Sequence, residues 1–92
     1  MKTYYVRFYK PGYMSREESI KAMDLYHARK NVLSRGIIKN DEYAIISNHQ
    51  QIPMGKVSVK KVKGKKTYVW QSVHSKNVYE LKSSDGMTGK KV

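Results

Sequence analysis

The sequence predicts an α+β domain: a small antiparallel β-sheet of about four to five strands with one principal α-helix packed on one face. Three observations lead there. Thr3 to Lys10 alternates strictly between two sets of side chains. Leu25, Ala28, Arg29, Val32 and Leu33 recur at helical spacing. From Tyr43 onward, short β-branched and aromatic runs are separated by turn-forming residues.

In the first strand Tyr4, Val6 and Phe8 share one face and Tyr5, Arg7 and Tyr9 the other, the period of two that marks a half-buried strand. Pro11-Gly12 ends it, because Pro has no donor for the ladder and Gly accepts the positive φ of a turn. The next stretch reads in two ways. Ser15-Arg16-Glu17-Glu18 fits a capping box opening a helix that runs to Arg35, whereas Ser19-Ile20-Lys21-Ala22 alternates like a return strand ending at Asp24. On the strand reading, which is preferred, Asp24 is the N-cap of a helix from Leu25 to Ser34, and Gly36 lies just past its end. Both readings place a helix over residues 25–34.

Tyr43-Ala44-Ile45-Ile46 is a further short strand, and Pro53 and Gly55 punctuate the chain beyond it. Val57 to Val62 alternates, Lys63-Gly64-Lys65-Lys66 makes a turn, and Thr67 to Val73 resumes with β-branched and aromatic residues, which together read as a hairpin. His74-Ser75-Lys76-Asn77 leads into a last strand, Val78-Tyr79-Glu80-Leu81. Residues 83–92 show no periodicity and read as a flexible tail, leaving residues 1–82 as a single domain.

Composition narrows the functional classes. A chain of 92 residues suits one domain, and its mean hydropathy of -0.73 with 39% hydrophobic residues predicts a thin core. There is no cysteine, which excludes disulfides and Cys-ligated metal sites and makes the cytoplasm the default compartment. No apolar run approaches the length of a membrane span and no basic amphipathic helix stands out, so no membrane partner is expected; no Walker loop, Rossmann glycine pattern or zincin motif occurs, so no bound cofactor is expected. A composition rich in Lys, Ile, Tyr and Asn points to an AT-rich genome, such as that of a low-GC bacterium, its phage or a plasmid.

Charge is the dominant signal. Nineteen basic against seven acidic side chains give a net +12, far above what solubility requires and indicative of an anionic partner. Residues 1–46 carry 9 basic and 5 acidic groups, and residues 47–92 carry 10 and 2, so the excess rises from +4 to +8 along the chain. Fifteen of the nineteen cations are Lys. Lys meets phosphate as a point charge, whereas Arg reads bases and phosphates bidentately, so backbone contact with DNA or RNA is expected rather than base readout.

The lysines of the hairpin are the first candidates for that contact. Lys56, Lys60, Lys61, Lys63, Lys65 and Lys66 place six cations in eleven residues about one turn, a density that would release several counterions on docking to a phosphate backbone. Lysines in such a place also keep a strand edge from pairing. Tyr5, Arg7 and Tyr9 form an aromatic-cation-aromatic row of the kind that grips single strands, unless the rings pack beneath other parts of the chain. Trp70 is a core anchor or a stacking ring. His27, His49 and His74 have no spacing that a metal or catalytic motif requires, and an enzyme is not expected. The alternatives to a nucleic-acid binder are a phage- or plasmid-type inhibitor of a host nucleic-acid-processing enzyme, an anti-CRISPR or other counter-defence protein for example, and a small toxin-type ribonuclease.

Overall fold

The computed structural model describes residues 1–34, 42–62, 64–81 and 88–91; the side chains of residues 34, 61, 62, 65, 66, 88 and 90 are outside that description. The elements are β1 (Lys2–Lys10), β2 (Tyr13–Ala22), α1 (Leu25–Ser34), β3 (Tyr43–Ser47), β4 (Pro53–Val62), β5 (Lys65–Ser72), β6 (Val78–Leu81) and β7 (Thr88–Lys91). They form one antiparallel sheet in the order β2-β1-β3-β4-β5-β6-β7. The α+β class is as predicted, with more strands than the four to five expected. Six make the body of the sheet, and the four-residue β7 adds at the β6 edge. Among the described residues no helix is long and apolar enough to cross a membrane.

The ambiguous stretch after the first turn is strand β2, paired with β1 from Tyr13↔Lys10 to Ala22↔Lys2. Gly12, at φ 88°, makes the reversal. β2 and β3 both run antiparallel to β1, which lies between them, so they are parallel to each other and their connection must return along the sheet. Helix α1 supplies that return, its ten residues covering about 15 Å at 1.5 Å each. Asp24 caps it: Asp24 Oδ1 accepts the His27 backbone N–H at 2.9 Å and lies 2.7 Å from His27 Nδ1. Those bonds, the backbone one foremost, hold the Asp24 carboxyl below its ordinary value.

The core lies between α1 and one face of the sheet. Tyr4, Val6 and Phe8 of β1, Ile20 and Ala22 of β2, Ala44 and Ile46 of β3, Val57 of β4 and Trp70 of β5 meet Ala28, Val32 and Leu33 of the helix. Phe8 and Ile46 are wholly buried, each side chain contributing about 1.5–3 kcal/mol by leaving water. Gly55, expected only to punctuate, lies inside β4 because the Trp70 indole occupies the space a Cβ would need.

Other boundaries differ from expectation as well: β2 begins at Tyr13 and β4 at Pro53, earlier than the alternation indicated. The turn of the lysine hairpin is tighter, since Val62 pairs with Lys65 and Lys61 with Lys66, which puts Lys65 and Lys66 in β5. Gly64, at φ 79°, takes the reversal, and the strands run on because β-branched residues flank the lysines. Residues 88–91, expected to belong to a flexible tail, pair with β6 through Tyr79↔Lys91 and Leu81↔Thr88. An edge strand of Thr, Gly and Lys has no alternation to announce it; its partner supplies the order. Residues 83–87 and 92 of that expected tail lie outside the described residues.

Candidate nucleic-acid interface

Because strand side chains alternate, the residues between the core positions all point to the face away from α1. The pairings line up one row across that face: Glu17 of β2, Arg7 of β1, Ile45 of β3, Lys56 of β4, Gln71 of β5 and Val78 of β6. Tyr5 and Tyr9 stand on either side of Arg7 on β1, and Lys60 lies four residues beyond Lys56 on β4. At 3.3 Å per residue, that spaces the two lysines by about 13 Å along the strand. Tyr5, Arg7, Tyr9 and Lys56 are half-buried and Lys60 is exposed.

Tyr43 ties the row together. Its ring stacks on Tyr9, centroids 5.3 Å apart and planes 15° from parallel, and Lys56 Nζ sits 5.3 Å from its centroid. Tyr43 therefore stands between Tyr9 of β1 and Lys56 of β4. It braces the lysine through the negative face of the ring rather than offering that face to a base. Tyr43 was not among the sequence candidates; only the placement of β3 between β1 and β4 brings it there.

The cations divide into two groups. Arg7 Nε bonds Glu17 Oε2 at 3.1 Å and its Nη2 reaches Gln51 Oε1 at 3.2 Å. Gln51 is held for this by the β3–β4 turn, where it takes a φ of 62° and Asn48 Oδ1 accepts the N–H groups of Gln50 and Ile52. Arg16 lies 4.2 Å over the Phe8 ring and bonds Glu42 Oε1 at 3.4 Å. Glu42 is buried, and Ser15 Oγ–H sits between its Oε2 at 3.0 Å and the Phe8 carbonyl oxygen at 3.1 Å. Arg29 covers the Trp70 ring at 4.9 Å, and burial lowers its pKa. By contrast, among the described residues Lys56, Lys60 and Lys76 take no carboxylate partner, and the ion pairs belong to Arg and His.

Of the residues singled out from sequence, Tyr5, Arg7, Tyr9, Lys56 and Lys60 thus share one face. Trp70 does not: it is 4% exposed, on the opposite face, beneath Arg29 and against Gly55. Lys61, Lys65 and Lys66 are placed by backbone pairing alone, and Lys63 lies outside the described residues. His27, His49 and His74 fall in α1, the β3–β4 turn and the β5–β6 turn, and no three His, Asp or Glu groups among the described residues are placed to hold a metal ion. A shallow cleft of about 590 Å³ opens at the end of β4 remote from the lysine turn, bounded by Ile45, Pro53, Lys56, Gln71, Ser75 and Lys76 among others. No protein-family model, curated protein or solved structure matches this chain.

Proposed function

We propose that the chain is a nucleic-acid-binding protein that grips the phosphate backbone with the lysines of β4 and the β4–β5 hairpin. The observation that carries the reading is the partition of charge. Arg7, Arg16 and Arg29 are committed to carboxylates or aromatic rings of the fold, while Lys56 and Lys60 stand on the face away from the helix without a carboxylate partner among the described residues. A lysine without a carboxylate partner brings its charge, and a counterion to release, to a phosphate. Lys61, Lys63, Lys65 and Lys66 extend the same strip in sequence, and Arg7 and the tyrosines flank it. The reading assigns no reaction.

The test is binding of the purified protein to duplex DNA, single-stranded DNA and RNA across a salt series, alongside a variant with Lys60, Lys61, Lys63, Lys65 and Lys66 replaced by Ala. Affinity should fall steeply with salt, and the variant should lose most of that dependence, about 0.7–0.9 in the log-log slope for each phosphate contact removed. Weak binding at physiological salt that the variant leaves unchanged would sink the proposal.

A second reading has one observation in its favour. Tyr13 and Met14, 59% and 49% exposed, lie at the β1–β2 turn, on the same end of the sheet as the lysine turn. An apolar patch beside a basic knob suits an inhibitor that docks on a nucleic-acid enzyme. On that reading Tyr13→Ala with Met14→Ala abolishes inhibition of the target enzyme and leaves affinity for nucleic acid untouched.

A further inference from the structure

Resting on the nucleic-acid reading, we infer that the bound polymer is single-stranded and that the cleft at the end of β4 receives one unpaired nucleotide. Its volume of about 590 Å³ falls within the roughly 300–1,000 Å³ of sites that enclose small ligands. Its composition suits a nucleotide part by part. Ile45 and Pro53 offer apolar surface to a base. Lys56 and Lys76 bring two cations, neither with a carboxylate partner among the described residues, to the same opening.

Between them stand groups that read an exposed base edge. The Gln71 side-chain amide carries both a donor and an acceptor. Ser72 Oγ already accepts the His74 N–H at 3.2 Å, and Ser75 Oγ accepts that of Asn77 at 3.0 Å. Each hydroxyl is thereby oriented with its own proton left to donate. In a duplex the bases are stacked and paired, and turning one out into a cleft costs that stacking and pairing; an unpaired nucleotide turns its base in without that cost. The cleft also lies in line with the lysine strip. Lys56 belongs to both, so a strand lying along β4 from the hairpin turn past Lys60 reaches the cleft at Lys56 and ends against Lys76.

The experiment measures fluorescence anisotropy of a labelled short single strand and of its matching duplex, each titrated with wild-type protein, Gln71→Ala, Lys76→Ala and Lys60→Ala at one salt concentration and then across a series. Thermal melts confirm that each variant is folded, and the exposed turn residue Lys76 gives a cleft variant that leaves the strands intact. The single strand should bind about tenfold or more tightly than the duplex, the scale of one base contact. Gln71→Ala should weaken single-strand binding by about fivefold to tenfold without changing the salt slope or the duplex affinity, because it removes a neutral base contact. Lys76→Ala should likewise act on the single strand alone, and Lys60→Ala should weaken both forms. Equal affinity for the two forms, or single-strand binding untouched by both cleft variants, overturns the cleft assignment while leaving the phosphate grip in place. Failure to bind either form overturns the phosphate grip itself.

Discussion

On β1 and β2 the arginines are met by acid, Arg7 by Glu17 at 3.1 Å and Arg16 by the buried Glu42 at 3.4 Å, whereas on β4 Lys56 and Lys60 stand in the same sheet and meet none. The two regions share strand geometry and differ in how charge is closed. Where the guanidinium is planar and multiply bonded, it serves as a fastener: Arg16 joins Phe8, Glu42 and Glu18, and so ties β2 to the start of β3. Where a flexible ammonium is left bare, it adds little to the fold and remains available to an outside anion. The protein thus keeps a strongly positive surface while Arg7 and Arg16, the cations of its β1–β2 region that fasten the fold, are closed by acid. The seven acids are few, and Glu17, Glu18, Asp24 and Glu42 are engaged by Arg and His of the β1, β2 and α1 region.

Breaking the closed side should give the largest effect. Glu42→Ala leaves Arg16 without its buried acceptor and Ser15 with the Phe8 carbonyl, and the midpoint of urea denaturation should fall by an amount corresponding to about 1–3 kcal/mol, moderated because Arg16 is partly exposed and can turn to water. Converting the open side into a closed one comes next. Ser58 lies on β4 between Lys56 and Lys60, so Ser58→Glu supplies the missing acid, and affinity for nucleic acid at low salt should fall about tenfold with a shallower salt slope. The mildest change opens the closed side. Glu17→Gln releases Arg7 from its ion pair on the same face as Lys56, and affinity should rise about twofold to threefold, a gain that added salt erases. A fall in affinity there would show that Glu17 positions Arg7 for the ligand instead of withholding it.

How much of this arrangement the sequence discloses depends on whether the signal is local. The alternation of Tyr4 to Tyr9 is local and reports directly which side chains are buried, so β1 and its two faces were legible. Asp24 and the spacing of Ala28, Val32 and Leu33 likewise place α1 at Leu25–Ser34, as predicted. Neighbour relations between distant strands have no such local imprint. That β3 lies against β1, bringing Tyr43 to Tyr9 and Lys56, is a fact of topology, and the bracing ring was invisible for that reason. Trp70 shows the same. The sequence leaves it as a core anchor or a stacking ring, and it is the anchor: its indole lies where a Cβ on Gly55 would stand, a close approach that only the placement of β4 against β5 reveals. The concentration of lysines was plain in the sequence but its closure was not: which cations would find acids was decided by pairings across the sheet.

The strand order also has a kinetic consequence. Every adjacent pair of strands in the sheet is consecutive in the chain except β1 and β3, whose register from Tyr5↔Ser47 to Tyr9↔Tyr43 closes a long loop containing β2 and α1. Hairpins form by short searches, while that single non-local pairing carries the largest loop-closure cost of the strand pairings and is the step expected to limit the rate of folding. The lysine hairpin lies wholly on the local side of the division. Its charge can therefore be raised or lowered over evolutionary time without slowing the step on which the rest of the domain depends.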